Sequence, residues 1–123
     1  MGRQLAKSTM ERLRTKLESE EARLASVIAE YDRVFEEARL AETAAEHNAD
    51  PNNADGGSLA FELEMDLSVQ QNAKELLKKV RHAIGRMDRG VYGICEVTGE
   101  PIPVARLEAL PYATTVVEWA HRT

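Results

Sequence analysis

Two long stretches without proline, both rich in charge and apolar at helical spacing, flank one short turn-forming segment. That arrangement constrains the fold more than any other feature of the chain. The segment Asn48-Ala49-Asp50-Pro51-Asn52-Asn53-Ala54-Asp55-Gly56-Gly57 holds one Pro, two Gly, two Asp and three Asn. These residue types fix or release backbone angles in tight turns. Before it, Leu13, Leu17, Leu24, Val27, Tyr31, Val34 and Ala38 follow steps of four and three. Glu20 interrupts the series once, and Ile28 and Phe35 widen it. After it, the stripe reads Leu59, Leu63, Gln70, Ala73, Leu77, Val80, Ile84 and Met87, with Asp66 at a seam position and Leu67 beside it. Roughly 34 residues before the loop face roughly 33 after it, and at about 1.5 Å per residue each arm is about 50 Å long. Matched arms predict an antiparallel helical hairpin.

The ends of the arms carry boundary signals. Residues 1–7 read as a flexible leader. Ser8-Thr9-Met10-Glu11 fits a capping box, with Ser8 covering free amides and Glu11 reaching back. Ser58 is placed to cap the second helix, and Gly90 to stop it. Beyond Leu40 the first stripe thins to Ala41, Ala44 and Ala45, which admits a close partner helix but buries little. The far end is expected to be the less stable end.

Composition supports an elongated helical body. Leu, Ile, Val and Phe number 27 of 123 residues, only slightly above the level at which disorder sets in. The net charge of −5 argues against a primary grip on nucleic acid, so sequence-specific nucleic-acid binding is not expected. Its distribution says more: residues 30–66 hold two basic and eleven acidic side chains, and residues 67–90 six basic and two acidic. The single cysteine, Cys95, rules out an internal disulfide. No signal peptide or membrane-spanning run is evident, which points to the cytoplasm.

From Val91 the texture changes. Val91-Tyr92-Gly93-Ile94-Cys95-Glu96-Val97 alternates like a strand and runs into the turn Thr98-Gly99-Glu100-Pro101. Val104 to Leu110 suits a short helix stopped by Pro111, and Thr114 to Trp119 is β-prone or begins a last helix. The expected domains are therefore a leader at 1–7, a coiled-coil hairpin at 8–90 with its tip loop at 48–57, and a globule at 91–123. A globule of that size normally needs a metal or disulfides to stand alone.

The run Asp88-Arg89-Gly90-Val91-Tyr92-Gly93-Ile94-Cys95-Glu96, with Thr98-Gly99-Glu100-Pro101-Ile102 and Ala105-Arg106-Leu107-Glu108-Ala109-Leu110-Pro111, closely resembles the C-terminal zinc-finger region of the DksA/TraR family. The resemblance implies a mainly α fold, a long antiparallel coiled-coil hairpin with a small zinc-finger-like α/β globule. It also implies a bacterial regulator of transcription that inserts its hairpin into the secondary channel of RNA polymerase.

Three departures from the family pattern matter. Where the family has four zinc cysteines, this chain reads Cys95, Thr98, Val116 and Trp119. One ligand of four cannot hold tetrahedral zinc, so zinc is not expected and apolar packing is expected to replace it. Burying Trp, Val and Ile side chains is worth about 1.5–3 kcal/mol each. At the tip, the family carries two Asp residues three apart followed by Ala. Here Asp55 takes the second acidic place, Asn52 falls at the first and Gly57 stands near the Ala. Asp50, Asn53 and the rest of the loop complete the expected polymerase-contacting tip, with either Asp50 or Asp55 as the functional acid. Third, the family's final helix is missing or reduced.

Lys79 and Arg106 match positions through which the family contacts guanosine tetraphosphate or polymerase, whereas Leu110 replaces a basic residue. Strong binding of that nucleotide is not expected. His47, His82 and His121 form no catalytic or metal cluster, and no phosphate-cradling loop follows a strand, so no enzyme is expected. Tyr31 and Met87 read as core residues. The expected partner is RNA polymerase, and the expected state a monomer. Two alternatives stay open: a non-catalytic coiled-coil interaction scaffold, and a factor that assists transcript cleavage.

Overall fold

In the computed structural model of the protein the described residues are 5–47 and 56–117. They form α1 (Lys7–His47), α2 (Gly56–Asp88) and α3 (Val104–Ala109). Among the described residues there is no strand; one isolated antiparallel bridge joins Ile94 and Pro101. The architecture is a mainly helical hairpin followed by a C-terminal finger. The expected β contribution to the finger thus shrinks to that bridge. Gly93 at φ +87° and Gly99 at φ +75° turn the backbone on either side of Cys95, so the alternation from Val91 to Val97 never becomes a ladder.

The helix starts differ from those expected. Met10 N–H donates to Ala6 O at 2.9 Å, so α1 begins ahead of Ser8, which lies inside the first turn instead of capping it. Ala6 and Lys7 favour helix strongly enough to extend it backwards. Likewise α2 begins at Gly56, which puts Gly57 and Ser58 in its first turn and not in a loop or at a cap. First-turn amides need no intrahelical partner, so glycines are tolerated there.

By compactness the chain divides into two units, one of residues 24–75 and one of residues 1–23 with 76–123. In the unit of residues 24–75, Leu24, Gln70 and Ala73 are buried and Val27, Ile28, Tyr31, Val34, Phe35 and Ala38 half-buried. The Tyr31 and Phe35 rings stack with centroids 6.2 Å apart. Gln70 Nε2 donates to Ile28 O at 3.0 Å and to Asp32 Oδ1 at 2.8 Å, which pins α2 to α1 at a defined register. Leu59 and Leu67, expected at or beside the seam, are each 53% exposed. Ala41 to Ala44 are also exposed, so burial fades as the Ala-rich sequence predicts.

The other unit holds the denser core. Leu13 and Leu17 of α1 and Leu77, Val80 and Ala83 of α2 are buried, as are Tyr92, Cys95, Ile102, Leu107 and Ala113 of the finger. Arg14 Nη2 meets Asp88 at 2.9 Å and Arg81 Nε meets Glu21 at 3.2 Å. Seven residues along α1 thus answer seven in the opposite direction along α2, as an antiparallel pair demands. Arg12 pairs with Glu108 of α3.

Gly90 ends α2 as expected. Val91 N–H reaches Arg86 O at 3.0 Å and Gly90 N–H reaches Met87 O at 3.1 Å, with Gly90 at φ +76°. This is a Schellman ending, which needs the left-handed conformation that glycine adopts without strain. Arg86 then reaches over the junction: its Nη2 donates to Val91 O at 3.3 Å and Ile94 O at 3.0 Å. The finger therefore leaves the helix at a fixed angle.

Candidate functional site

The finger is built around Cys95, 1% exposed. Its N–H donates to Glu100 O at 2.7 Å and its carbonyl accepts from Gly99 N–H at 2.9 Å. Thr98 N–H points at the Cys95 sulfur, 3.5 Å away. Burial pushes the thiol up, but hydrogen bonds from Thr98 and from the backbone of Val116 and Val97 outweigh it and bring it down to about 7. The sulfur is thus held by amides in a tight turn, with Thr98 exposed and Val116 half-buried. Thr98 brings a hydroxyl and Val116 no donor at all. Among the described residues no group of three His, Cys, Asp or Glu side chains comes together. These residues do not fit four-coordinate zinc. Trp119, and the tip residues Asp50, Asn52, Asn53 and Asp55, lie outside the described residues.

Beside the finger lies a cleft of about 380 Å³, lined by Lys78, Lys79 and His82 of α2, Arg106 of α3, and Glu96, Tyr112 and Ala113–Thr115. The structure therefore brings Lys79 and Arg106 to one cleft. Arg106 Nε donates to Thr115 O at 3.1 Å, which fixes the guanidinium at the rim. Lys78 and Lys79 are exposed. An anion entering the cleft would meet mobile ammonium groups on one side and an anchored guanidinium on the other.

One wall of the cleft was not visible in the sequence. Glu96 accepts from Thr114 Oγ1 at 2.9 Å, meets His82 Nε2 at 2.8 Å and lies 3.6 Å from Arg86 Nη1. Its own N–H donates to Thr114 O at 2.9 Å. Burial pushes the Glu96 carboxyl up. The hydrogen bonds to His82 and Thr114 and the charges of His82 and Arg86 outweigh this and hold it below its ordinary value. His82 thus has Glu96 as its partner. It is one end of a clasp between α2 and the last described residues. Nothing in the spacing of His82, Glu96 and Thr114 signals the clasp, because a loop and two turns separate them.

Behind this wall Tyr92, 2% exposed, donates its O–H to Pro111 O at 2.7 Å, and burial pushes the phenol up to about 12. That bond ties the first turn of the finger to the segment after α3.

Residues 90–115 match the family described as prokaryotic dksA/traR C4-type zinc finger. The chain is 42% identical over 69 residues to the RNA polymerase-binding transcription factor DksA of Caulobacter vibrioides, covering 56% of this chain and 49% of that one. Its fold matches the structure of transcription factor DksA2 from Pseudomonas aeruginosa with a TM-score of 0.70 and 29% identity, over 94% of this chain and 83% of that one. Sequence and fold similarity together support the DksA/TraR family. General stress protein 16O of Bacillus subtilis is similar as well, 43% identical over 72 residues, 58% of this chain and 44% of that protein. The chain thus spans about half the length of the curated relatives it matches. Within the matched region Cys95 stands in a tight turn, its sulfur facing the N–H of Thr98. Among the described residues no helix is long and apolar enough to cross a membrane.

Proposed function

We propose that this protein is a non-enzymatic regulator of transcription that binds RNA polymerase through its helical hairpin. In this reading the loop between α1 and α2 enters the secondary channel, and Asp55 or Asp50 places a carboxylate near the catalytic centre. The outcome is an altered lifetime of the initiation complex, without sequence-specific contact to DNA. The protein acts in the cytoplasm as a monomer. The observation that supports this most is the similarity to the polymerase-binding DksA of Caulobacter vibrioides, combined with a hairpin pinned by Gln70 to Ile28 and Asp32. A stiff hairpin is what delivery of a loop into a narrow channel requires.

The finger in this reading is a metal-free support. The amide cage around Cys95 and the buried Tyr92, Ile102 and Leu107 do what zinc does elsewhere. The Lys79–Arg106 cleft faces acidic or phosphate-bearing surface outside the channel. Guanosine tetraphosphate is at most a weak ligand there, because Leu110 stands where a further cation would be needed. The test is binding to purified core polymerase together with multi-round transcription, wild type against Asp55→Asn and Asp50→Asn. Binding with a transcription effect that one of the two substitutions abolishes supports the reading. A chain that does not associate with core or holoenzyme refutes it.

A further inference from the structure

Helix α2 carries a second apolar stripe that α1 does not cover. Phe61, Met65 and Val69 recur at four-residue steps, so they lie one above the other on a single face. They are 63%, 53% and 43% exposed. Gln70, which bonds to α1, lies off this stripe, while Ala73, at the next four-residue step, is buried and ends it. Ser68 beside the row and Asn72 just beyond it are exposed and uncharged. The row itself, from Phe61 to Val69, carries no charge in a chain that is 30% charged. Single exposed apolar residues such as Leu40 are ordinary, but an aligned, charge-free row marks a contact surface.

The flanks say what covers it. Glu64 borders the stripe on one side and Glu62 and Asp66 on the other, and none of the three takes part in an ion pair among the described residues. On α1 the neighbouring acids are already matched: Arg33 holds Glu30 and Glu37, and Arg39 holds Glu36. A second copy laid across the stripe would set the same three carboxylates of each chain against one another, which is repulsive. An apolar helix edged with lysine or arginine would meet both the stripe and its acids.

We infer that the Phe61–Met65–Val69 face is a docking surface for a basic, apolar helix of RNA polymerase; this rests on the function proposed above and adds the side by which the hairpin is gripped. Contact along the stripe supplies affinity, leaving the loop to supply the effect on catalysis. The test is equilibrium binding of the full chain to purified core polymerase across a salt series, with helicity checked by circular dichroism. The Phe61→Ser, Met65→Ser double variant is expected to bind about tenfold more weakly, as for paired interface anchors. Leu40→Ser is expected to bind like wild type, and Glu62→Gln with Glu64→Gln to flatten the salt dependence. Unchanged affinity of the double variant overturns the docking surface and leaves the proposed function standing. So does a wild-type dimer that the double variant dissociates, which would make a second copy the occupant. A wild type without affinity for polymerase overturns both.

Discussion

Gln70, 4% exposed, donates its side-chain amide to the Asp32 carboxylate at 2.8 Å and to the Ile28 carbonyl at 3.0 Å. One buried polar group in an otherwise apolar seam selects a single register, because any slip of α2 leaves its donor without an acceptor. Gln70→Glu replaces that donor with a carboxylate facing another carboxylate. At neutral pH this variant is expected to lose about 2–3 kcal/mol in urea unfolding, and to recover as acid protonates Glu at 70. Gln70→Leu, which needs no partner, is expected to stay within about 1 kcal/mol of wild type. Equal stability of the Glu and Leu variants at pH 7 would show that the amide sets no register.

The Cys95 thiol lies at about 7, against an ordinary 9.0. An acid depressed by folding contributes stability that is complete above its unfolded value and is lost as pH falls through the folded one. Wild type is therefore expected to gain of the order of 2 kcal/mol over Cys95→Ala between pH 7 and pH 9, at about 1.4 kcal/mol per unit. Parallel curves for the two proteins would dismiss the amide cage.

Chelation separates this finger from a zinc-built one. Metal-dependent small domains unfold when their ion is removed. Here EDTA is expected to leave the melting temperature unchanged, and purified protein to contain zinc well below one equivalent. A melting temperature lowered by chelator and restored by zinc would contradict the fit drawn from Cys95, Thr98 and Val116.

For Glu96 the pH window is acidic. Its carboxyl lies below the ordinary 4.5, so its contribution is present above that value and disappears as pH falls through the lower folded value. Glu96→Gln keeps a partner for Thr114 but loses the charge. Thermal melts are expected to show wild type falling more steeply than Glu96→Gln below about pH 4.5. Identical slopes would mean that the clasp with His82 carries no weight.

Gly90 and Gly99 have open space where a Cβ would stand, yet both have positive φ. Alanine at either position therefore adds backbone strain without a clash, expected at about 1 kcal/mol by chemical denaturation. A neutral Gly90→Ala would mean that the ending of α2 has shifted.

The hairpin was legible because periodicity acts over many turns: steps of three and four from Leu13 to Ala38 and from Leu63 to Met87 admit no other pairing. Ends were less legible. Ser8 and Ser58 carry good capping chemistry, but the helix propensity of Ala6 and Lys7 extended the first helix, and the tolerance of a first turn for glycine let the second begin at Gly56. The finger's strand failed for a local reason, two positive-φ glycines within seven residues. Lys79 and Arg106 were found through family resemblance and do share a cleft. The Glu96 clasp was invisible because its members meet only in three dimensions. The stripe at Phe61, Met65 and Val69 stands in the sequence at four-residue steps, but periodicity alone does not separate an exposed apolar row from a buried one.

Along α1, Glu20–Arg23, Glu30–Arg33 and Glu36–Arg39 each join an acid to a base one turn later. Such pairs need no second helix to form. Much of α1 can therefore coil while the rest of the chain is still being synthesised, giving α2 a preformed track to close upon. Hydrogen exchange on a peptide of residues 7–47 would reveal that early coil as protection in the absence of α2. The hairpin would then mature in the order in which the ribosome releases it.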